Sequence, residues 1–250
     1  LQLGGAEKSL VTLLQNLDFD LYAVDLITFQ KNGFFKDFVP KEVNQVYFPF
    51  PKISFFNRLQ YLVKRKLKIK YHHAQLFWPL VSKYFTTYNS FYDVAVAYNQ
   101  GFATYFVHDF INASKKITWL NTDYQKAGYN AQFDVSYYAH FSKIIAVSPE
   151  AKDSLIKAFI SIDKTLQIEI IKDISDKEII IQKANDVQEI LFDNNYINLV
   201  TVARLVKAKG LNLAIESALI LKDKGYSFKW YIVGEGSERR FLEQKIMELH

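Results

Sequence analysis

Short apolar segments with strand character alternate with helical segments along most of the chain, and this alternation constrains the fold more than any other feature. Each segment is a few residues long, rich in β-branched and aromatic side chains, and ends near a polar or glycine-containing turn. The clearest examples are "LYAVDLITF" (21–29), "YDVAVAYN" (92–99), "KIIAVS" (143–148), "INLVTVAR" (197–204) and "FKWYIVG" (228–234). Continuously apolar strands belong to parallel sheets covered on both faces, so the sequence predicts an α/β fold.

The intervening segments have helical periodicity. We expect two helices within 54–88, interrupted near His72, and a helix that begins at Ser148-Pro149. Further helices are predicted at 102–113, 126–140, 176–190, 209–223 and from 238 onward.

This pattern predicts two α/β domains. Residues 1–165 form the first, 166–190 an interdomain segment, and 191–250 the beginning of the second. A Gly-Gly turn before a helix normally follows a strand, so we expect the first domain to lack its first strand. A strand–helix–strand–helix unit over 197–250 is too small to bury a sheet alone, so we expect the second domain to be present only in part.

Composition excludes several classes of protein. The chain has no cysteine, which excludes disulfide scaffolds and thiolate metal sites and suits a reducing cytoplasm. None of its histidines has the spacing of a helical metal motif, so we expect no protein-bound metal. No apolar run approaches the roughly 18–20 residues of a membrane-spanning helix.

The positive charge is concentrated in one segment. Residues 43–92 carry eight Lys and Arg and no Asp or Glu, whereas the net charge of the whole chain is only +5. Within it, 58–73 has two interpretations: a patch that docks on anionic lipid, or a solvated helix whose leucines (Leu59, Leu62, Leu67) and Val63 pack inward. No motif that reads nucleic acid is present, so we expect no nucleic-acid partner.

Ligands of parallel sheets bind at the carboxyl ends of the strands, where turns offer backbone N–H groups to anions. Arg204 ends a predicted strand, and Lys209 lies just before a predicted helix. The two cations are placed to hold a phosphate or diphosphate, although a solvated loop would have the same composition.

Other turns and pairs are less specific. Gly234-Glu235-Gly236 follows a strand but lacks the third glycine of the dinucleotide motif, which disfavours a nicotinamide enzyme. A tight turn between strand and helix explains it equally well. His108-Asp109 is typical of a surface pair, and the chain has neither a P-loop nor a nucleophile elbow.

Taken in order, these segments resemble a known family. "LGGAEKSL", "KKITWLNTDY", "KIIAVSPEAKDSL", "VARLVKAKGLNLAIESALIL" and "WYIVGEGSERRFLEQKIMEL" follow the order and approximate spacing of retaining glycosyltransferases of the GT-B fold, group-1 or family-4 type. The resemblance covers most of the chain and is weakest across 31–90. It implies two Rossmann-like domains and transfer of a sugar from a nucleotide-sugar donor to a saccharide or lipid-linked glycan, without metal or cofactor.

The resemblance also assigns roles to residues. Arg204 and Lys209 match the pair that binds the donor diphosphate, and the Gly4-Gly5 turn approaches the same phosphates. Gly234 and Glu235 line the nucleotide pocket.

Three departures from the family pattern keep alternatives open. Asn121 stands where the family usually has a catalytic His, and Lys172 where Asn is common. The later pair of donor-binding glutamates has no counterpart before residue 250, so we expect these 250 residues alone not to turn over. The alternatives are a non-catalytic GT-B relative that acts as scaffold or glycan-binding partner, and a sugar-nucleotide epimerase.

Overall fold

The computed structural model describes residues 4–67, 71–86, 88–185 and 192–248, and these fall into two compact units, residues 1–179 and 180–250. All strand pairs in the described residues are parallel, so the chain is an α/β protein with Rossmann-like parallel sheets. The expected lack of a first strand before α1 stays a prediction, since residues 1–3 lie outside the described residues.

The first unit contains two sheets. Strands β1 (Asp25–Thr28) and β2 (Asn44–Tyr47) form one pair, and four strands form the second sheet in chain order: β3 (Phe91–Ala97), β4 (Asn112–Leu120), β5 (Lys143–Ala146) and β6 (Ile168–Ile170). The helices are α1 (Gly5–Gln15), α2 (Phe55–Lys66), α3 (His73–Val81), α4 (Phe102–Phe110), α5 (Ala131–Tyr138) and α6 (Pro149–Ile160). Strand β6 lies inside the predicted interdomain segment, yet it pairs with β5.

The second unit is smaller. Strand β7 (Ile197–Val202) pairs with β8 (Phe228–Val233), and helices α8 (Leu211–Asp223) and α9 (Arg239–Glu248) follow the two strands. Helix α7 (Lys177–Asn185) spans the division between the units, and the rest of its predicted range, 186–190, lies outside the described residues. A small core of Leu205, Leu211, Ile215 and Leu242 is buried here.

Local signals set most helix boundaries. Ser148 accepts a hydrogen bond from the Ala151 N–H, with Pro149 at the first helical position, as predicted. Two predicted boundaries are wrong. Helix α5 begins at residue 131 rather than 126, because Asn130 caps it. Helix α4 ends at Phe110, since the chain turns to extended geometry at Ile111 to start β4.

A buried carboxylate joins three parts of the first unit. Asp134 of α5 accepts hydrogen bonds from the Tyr105 hydroxyl of α4 at 2.7 Å and from the Tyr124 hydroxyl, in the loop after β4, at 2.6 Å. All three side chains are buried. Burial raises the pKa of Asp134 to about 6, and the two hydrogen bonds oppose this rise only in part.

We expect Asp134→Asn to flatten the pH dependence of stability. The pKa of Asp134 rises from 3.8 to about 6 on folding. As the pH increases through this range, the Asp134 carboxyl loses its proton in the unfolded chain before it does so in the native state. The free energy of unfolding therefore falls by about 3 kcal/mol relative to acid pH. Urea unfolding at about pH 4 and pH 6 measures the change. Asp153→Asn, at an exposed position of α6, should keep the wild-type slope. If the free energy of unfolding of Asp134→Asn depended on pH as steeply as that of wild type, the raised pKa of Asp134 would be contradicted.

Candidate functional site

The carboxyl edge of the four-stranded sheet gathers polar side chains from four segments. Tyr98 and Gln100 follow β3, Asn121 follows β4, Asp173 follows β6, and Ser9 comes from α1. Because the strands are parallel, their carboxyl ends meet at one edge, where ligands of such sheets bind.

A chain of hydrogen bonds ties α1 to this edge. The Ser9 hydroxyl donates to the Asp173 carboxylate at 2.7 Å and lies 2.9 Å from the Tyr98 hydroxyl. Ser9 is buried, and burial also raises the pKa of the Tyr98 hydroxyl. Both hydroxyls are therefore neutral, and together they connect segments 164 residues apart in sequence.

Asn121 is held by its neighbours but keeps one acceptor atom free. Its Nδ2 donates to the Tyr98 carbonyl oxygen at 2.8 Å, and its backbone N–H donates to Gln100 Oε1 at 3.0 Å. Its Oδ1 is buried and has no hydrogen-bond partner among the described residues. An unpaired buried carbonyl oxygen is costly, so this atom is suited to accept a hydrogen bond from a ligand hydroxyl.

The loop after Asn121 is fixed by a second carboxylate. Asp123 Oδ1 accepts hydrogen bonds from the Ser154 hydroxyl at 2.5 Å and from the Lys126 N–H at 3.0 Å. These bonds, led by that from the Lys126 backbone, lower the pKa of Asp123 to about 2. Asp123 is thus ionised at neutral pH and anchors the loop to α6.

Gly4 and Gly5 lie at the start of α1. Gly4 is extended, and no described side chain caps the helix. A side chain at Gly5 would project into open space, whereas one at Gly4 would meet only the mobile end of Glu7. The Glu7 carboxylate therefore lies near the helix N-terminus, which favours negative charge.

In the second unit, the loops that follow β7 and β8 are interlocked by backbone hydrogen bonds. The Leu205 N–H donates to the Glu235 carbonyl at 2.9 Å, and the Glu238 N–H donates to the Leu205 carbonyl at 2.8 Å. The Leu205 side chain is buried between them and α8. The two loops therefore form one rigid surface at the carboxyl ends of their strands.

Glycine is required where these loops meet. A Cβ atom on Gly234 would overlap the Ala203 carbonyl oxygen, and one on Gly236 would overlap the Leu205 carbonyl. Backbone cannot withdraw as a flexible side chain can, so the Gly-Glu-Gly sequence has a structural cause in addition to its predicted role.

The predicted cations lie on the first of these loops. Arg204 and Lys209 are exposed, and their side chains make no hydrogen bond or ion pair within the described part of the chain. Gly210, in the left-handed conformation, is the N-cap residue directly before α8. Glu235, on the second loop, is exposed and pairs with Arg239 one helical turn later.

The structure thus groups the predicted residues into two sets. Arg204, Lys209, Gly234 and Glu235 lie on the two interlocked loops of the second unit. Asn121 and the Gly4-Gly5 turn belong to the first unit, where Ser9 and Tyr98 connect α1 to Asn121. Lys172, the other departure from the family pattern, is exposed just after β6.

The histidines of the first unit have structural partners. His108 Nδ1 lies 2.6 Å from Asp109, which also accepts a hydrogen bond from the Trp78 indole at 2.7 Å and so fastens α3 to α4. His72 caps α3 and stacks on Tyr129, and burial lowers its pKa to about 4. Residue 250, the last histidine, lies outside the described residues.

The described residues contain neither a metal-binding cluster nor a membrane-spanning helix. No group of three or more His, Asp or Glu side chains in that part of the chain is arranged to hold a metal ion. Among the same residues, no helix combines the length and apolar character needed to cross a membrane.

Comparison with known proteins does not assign a family. No protein-family model matches the chain, and a search of curated proteins finds no significant match.

Sequence reasoning missed four residues of the first unit's edge: Ser9, Tyr98, Gln100 and Asp173. Two of them carried a usable signal, because Tyr98 lies in the last two residues of a predicted strand (92–99) and Gln100 directly follows it. Ser9 and Asp173 carried none, since their hydrogen bond depends on how α1 packs against the sheet.

We expect Gly236→Ala to destabilise the second unit by several kcal/mol, because the new methyl group would push against the Leu205 backbone. Denaturant unfolding followed by circular dichroism, which reports the helices and strands of both units, measures the loss. Gly5→Ala is the matched control: its methyl group meets open space in a helix, so stability should be unchanged or up to about 1 kcal/mol higher. Equal stabilities of the two variants would contradict the overlap.

Proposed function

We propose that the protein is a retaining glycosyltransferase of GT-B type, which transfers a sugar from a nucleotide-sugar donor to a saccharide or lipid-linked glycan. The observation that carries the proposal is the loop after β7. It presents two cations without a side-chain partner in the described residues, Arg204 and Lys209, at the carboxyl end of a parallel strand. Those are the positions that the family resemblance assigns to donor binding.

A diphosphate leaving group accounts for both cations. During transfer, the bond between the donor's anomeric carbon and its phosphate oxygen breaks, and the nucleoside diphosphate leaves with the electron pair. The acceptor hydroxyl forms the new bond on the same face and passes its proton to an oxygen of the departing diphosphate. A guanidinium binds phosphate oxygens as a fork and an ammonium as a point charge. Both interactions strengthen as negative charge builds on the leaving group.

The rigidity of the loop supports the same role. Backbone hydrogen bonds between Leu205 and the second loop order the main chain next to Arg204 before a ligand arrives. A binding site that is already ordered loses less conformational entropy when it is occupied. In this proposal, the backbone of Gly234 and Glu235 lies against the nucleotide, while the Glu235 carboxylate remains paired with Arg239.

Asn121 orients a sugar hydroxyl in this proposal. Its side-chain amide donates to the Tyr98 carbonyl and its backbone N–H donates to Gln100, while its unpaired Oδ1 is available to a sugar hydroxyl group. An amide cannot exchange a proton at neutral pH as histidine does. Asn121 therefore acts by hydrogen bonding alone. We place the reaction in the cytoplasm, where a chain without cysteine is expected.

Calorimetric titration of the complete protein with UDP, GDP and their sugars tests the proposal. We expect one nucleotide to bind, and Arg204→Ala to weaken its binding by about 10- to 150-fold, because hydrogen bonds between charged groups contribute about 1.5–3 kcal/mol. Lys209→Ala should act in the same direction. Lys222→Ala removes an equal charge at the far end of α8 and should leave affinity unchanged.

Two results would contradict the proposal. One is the absence of binding by any of these nucleotides to the wild-type protein. The other is an equal loss of affinity in Arg204→Ala and Lys222→Ala, which would indicate a general charge effect rather than a site.

The non-catalytic alternative rests on Asn121 and Lys172, which stand where the family usually has His and commonly has Asn. A scaffold would bind without transferring sugar, and an epimerase would convert one nucleotide sugar into another, with or without an acceptor. Measuring the free UDP that the complete protein releases with and without a saccharide acceptor separates these cases, since only a transferase couples its release to the acceptor.

A further inference from the structure

Helix α2 places its polar side toward the protein. The Asn57 side chain is buried and donates to the Tyr84 hydroxyl at 3.0 Å, and the Tyr61 ring packs edge-on against Phe77. Lys64, one turn after Tyr61 on the same face, is half-buried. This face contains an amide, a phenol and an ammonium, whereas a helix that packs on a core normally buries its apolar face.

The apolar side of α2 faces outward. Six side chains of the helix and the residue after it are between 48% and 82% exposed: Phe55, Phe56, Leu59, Leu62, Val63 and Leu67. At 100° per residue they cover an arc of about 140°, opposite Asn57. The interpretation that the leucines and Val63 pack inward is therefore wrong. Exposed apolar patches of this kind mark interaction surfaces.

Positive charge borders this apolar face. Arg58 and Arg65 lie along one edge and Lys66 at its carboxyl-terminal end, and all three are exposed. No Asp or Glu occurs anywhere from residue 43 to residue 92. Lys68 and Lys70 add to the charge in sequence but lie outside the described residues. The occupant of this face must therefore combine apolar groups with negative charge.

We propose that α2 docks in the surface of an anionic lipid bilayer. The helix lies parallel to the membrane, with its phenylalanines and leucines at the boundary between headgroups and acyl chains and its Arg and Lys side chains among the anionic headgroups. Surface-bound helices have this combination of a wide apolar face and basic flanks. The proposal does not depend on the glycosyltransferase assignment.

A second copy of the chain fits this face less well. In a symmetric dimer the same patch meets itself, which would bring Arg58, Arg65 and Lys66 of both copies together without any acidic residue of the segment to neutralise them. A lipid surface supplies the missing negative charge over the whole length of the helix.

Vesicle flotation tests the proposal with the complete protein. We expect it to float with vesicles of phosphatidylcholine and phosphatidylglycerol and not with phosphatidylcholine alone, and we expect salt to weaken binding. Arg65→Glu with Lys66→Glu should reduce partitioning by at least about tenfold, since each basic residue near an anionic surface contributes about 1 kcal/mol. Leu59→Ser with Leu62→Ser should reduce it by a similar factor.

The matched control reverses two exposed lysines elsewhere in the first unit, Lys157→Glu with Lys164→Glu, and should keep wild-type binding. Circular dichroism and thermal unfolding verify that each variant is folded, as the exposure of the altered residues leads us to expect.

Three results would overturn the proposal. One is that wild type fails to float with anionic vesicles. Another is that the lysine control loses as much binding as Arg65→Glu with Lys66→Glu. The third is that wild type is a dimer without lipid and Leu59→Ser with Leu62→Ser makes it monomeric, which would assign the face to a second copy.

Discussion

The buried carboxylate of Asp134 is the constraint on which the first unit's edge depends. It accepts hydrogen bonds from the Tyr105 and Tyr124 hydroxyls, and thereby joins α4, α5 and the loop after β4 inside an aromatic core. The same loop begins with Asn121, whose side-chain amide donates to the Tyr98 carbonyl and whose backbone N–H donates to Gln100. Because low dielectric strengthens each of these bonds, a network of this kind determines a single loop conformation.

The two units stabilise their carboxyl edges in different ways. The first uses side-chain hydrogen bonds, such as that from Ser9 to Asp173, to connect distant segments. The second uses backbone hydrogen bonds between adjacent loops, which require glycine at 234 and 236. Because the backbone makes these bonds, the side chains of Arg204 and Lys209 take no part in joining the loops. They are therefore available to a ligand.

Helix α2 has its polar side buried and its apolar side exposed. Trp78 of α3 and Phe106 of α4 pack inward, whereas α2 buries Asn57 and exposes Phe55. The free energy that apolar burial would supply, about 25 cal/mol per Å² of area, is not gained within the described structure. That stabilisation remains available to an external surface.

The sequence alone determined the alternation of strands and helices, the parallel sheets, the Ser148-Pro149 helix start and the placement of Arg204 before α8. These depend on local patterns: apolar runs, caps and turn residues within a few positions. It did not determine the Ser9–Asp173 bond, the overlap that makes Gly236 obligatory, or the outward face of α2. Each of these depends on which segments meet in space. A local pattern defines an apolar face of a helix, but only tertiary packing decides whether that face is covered.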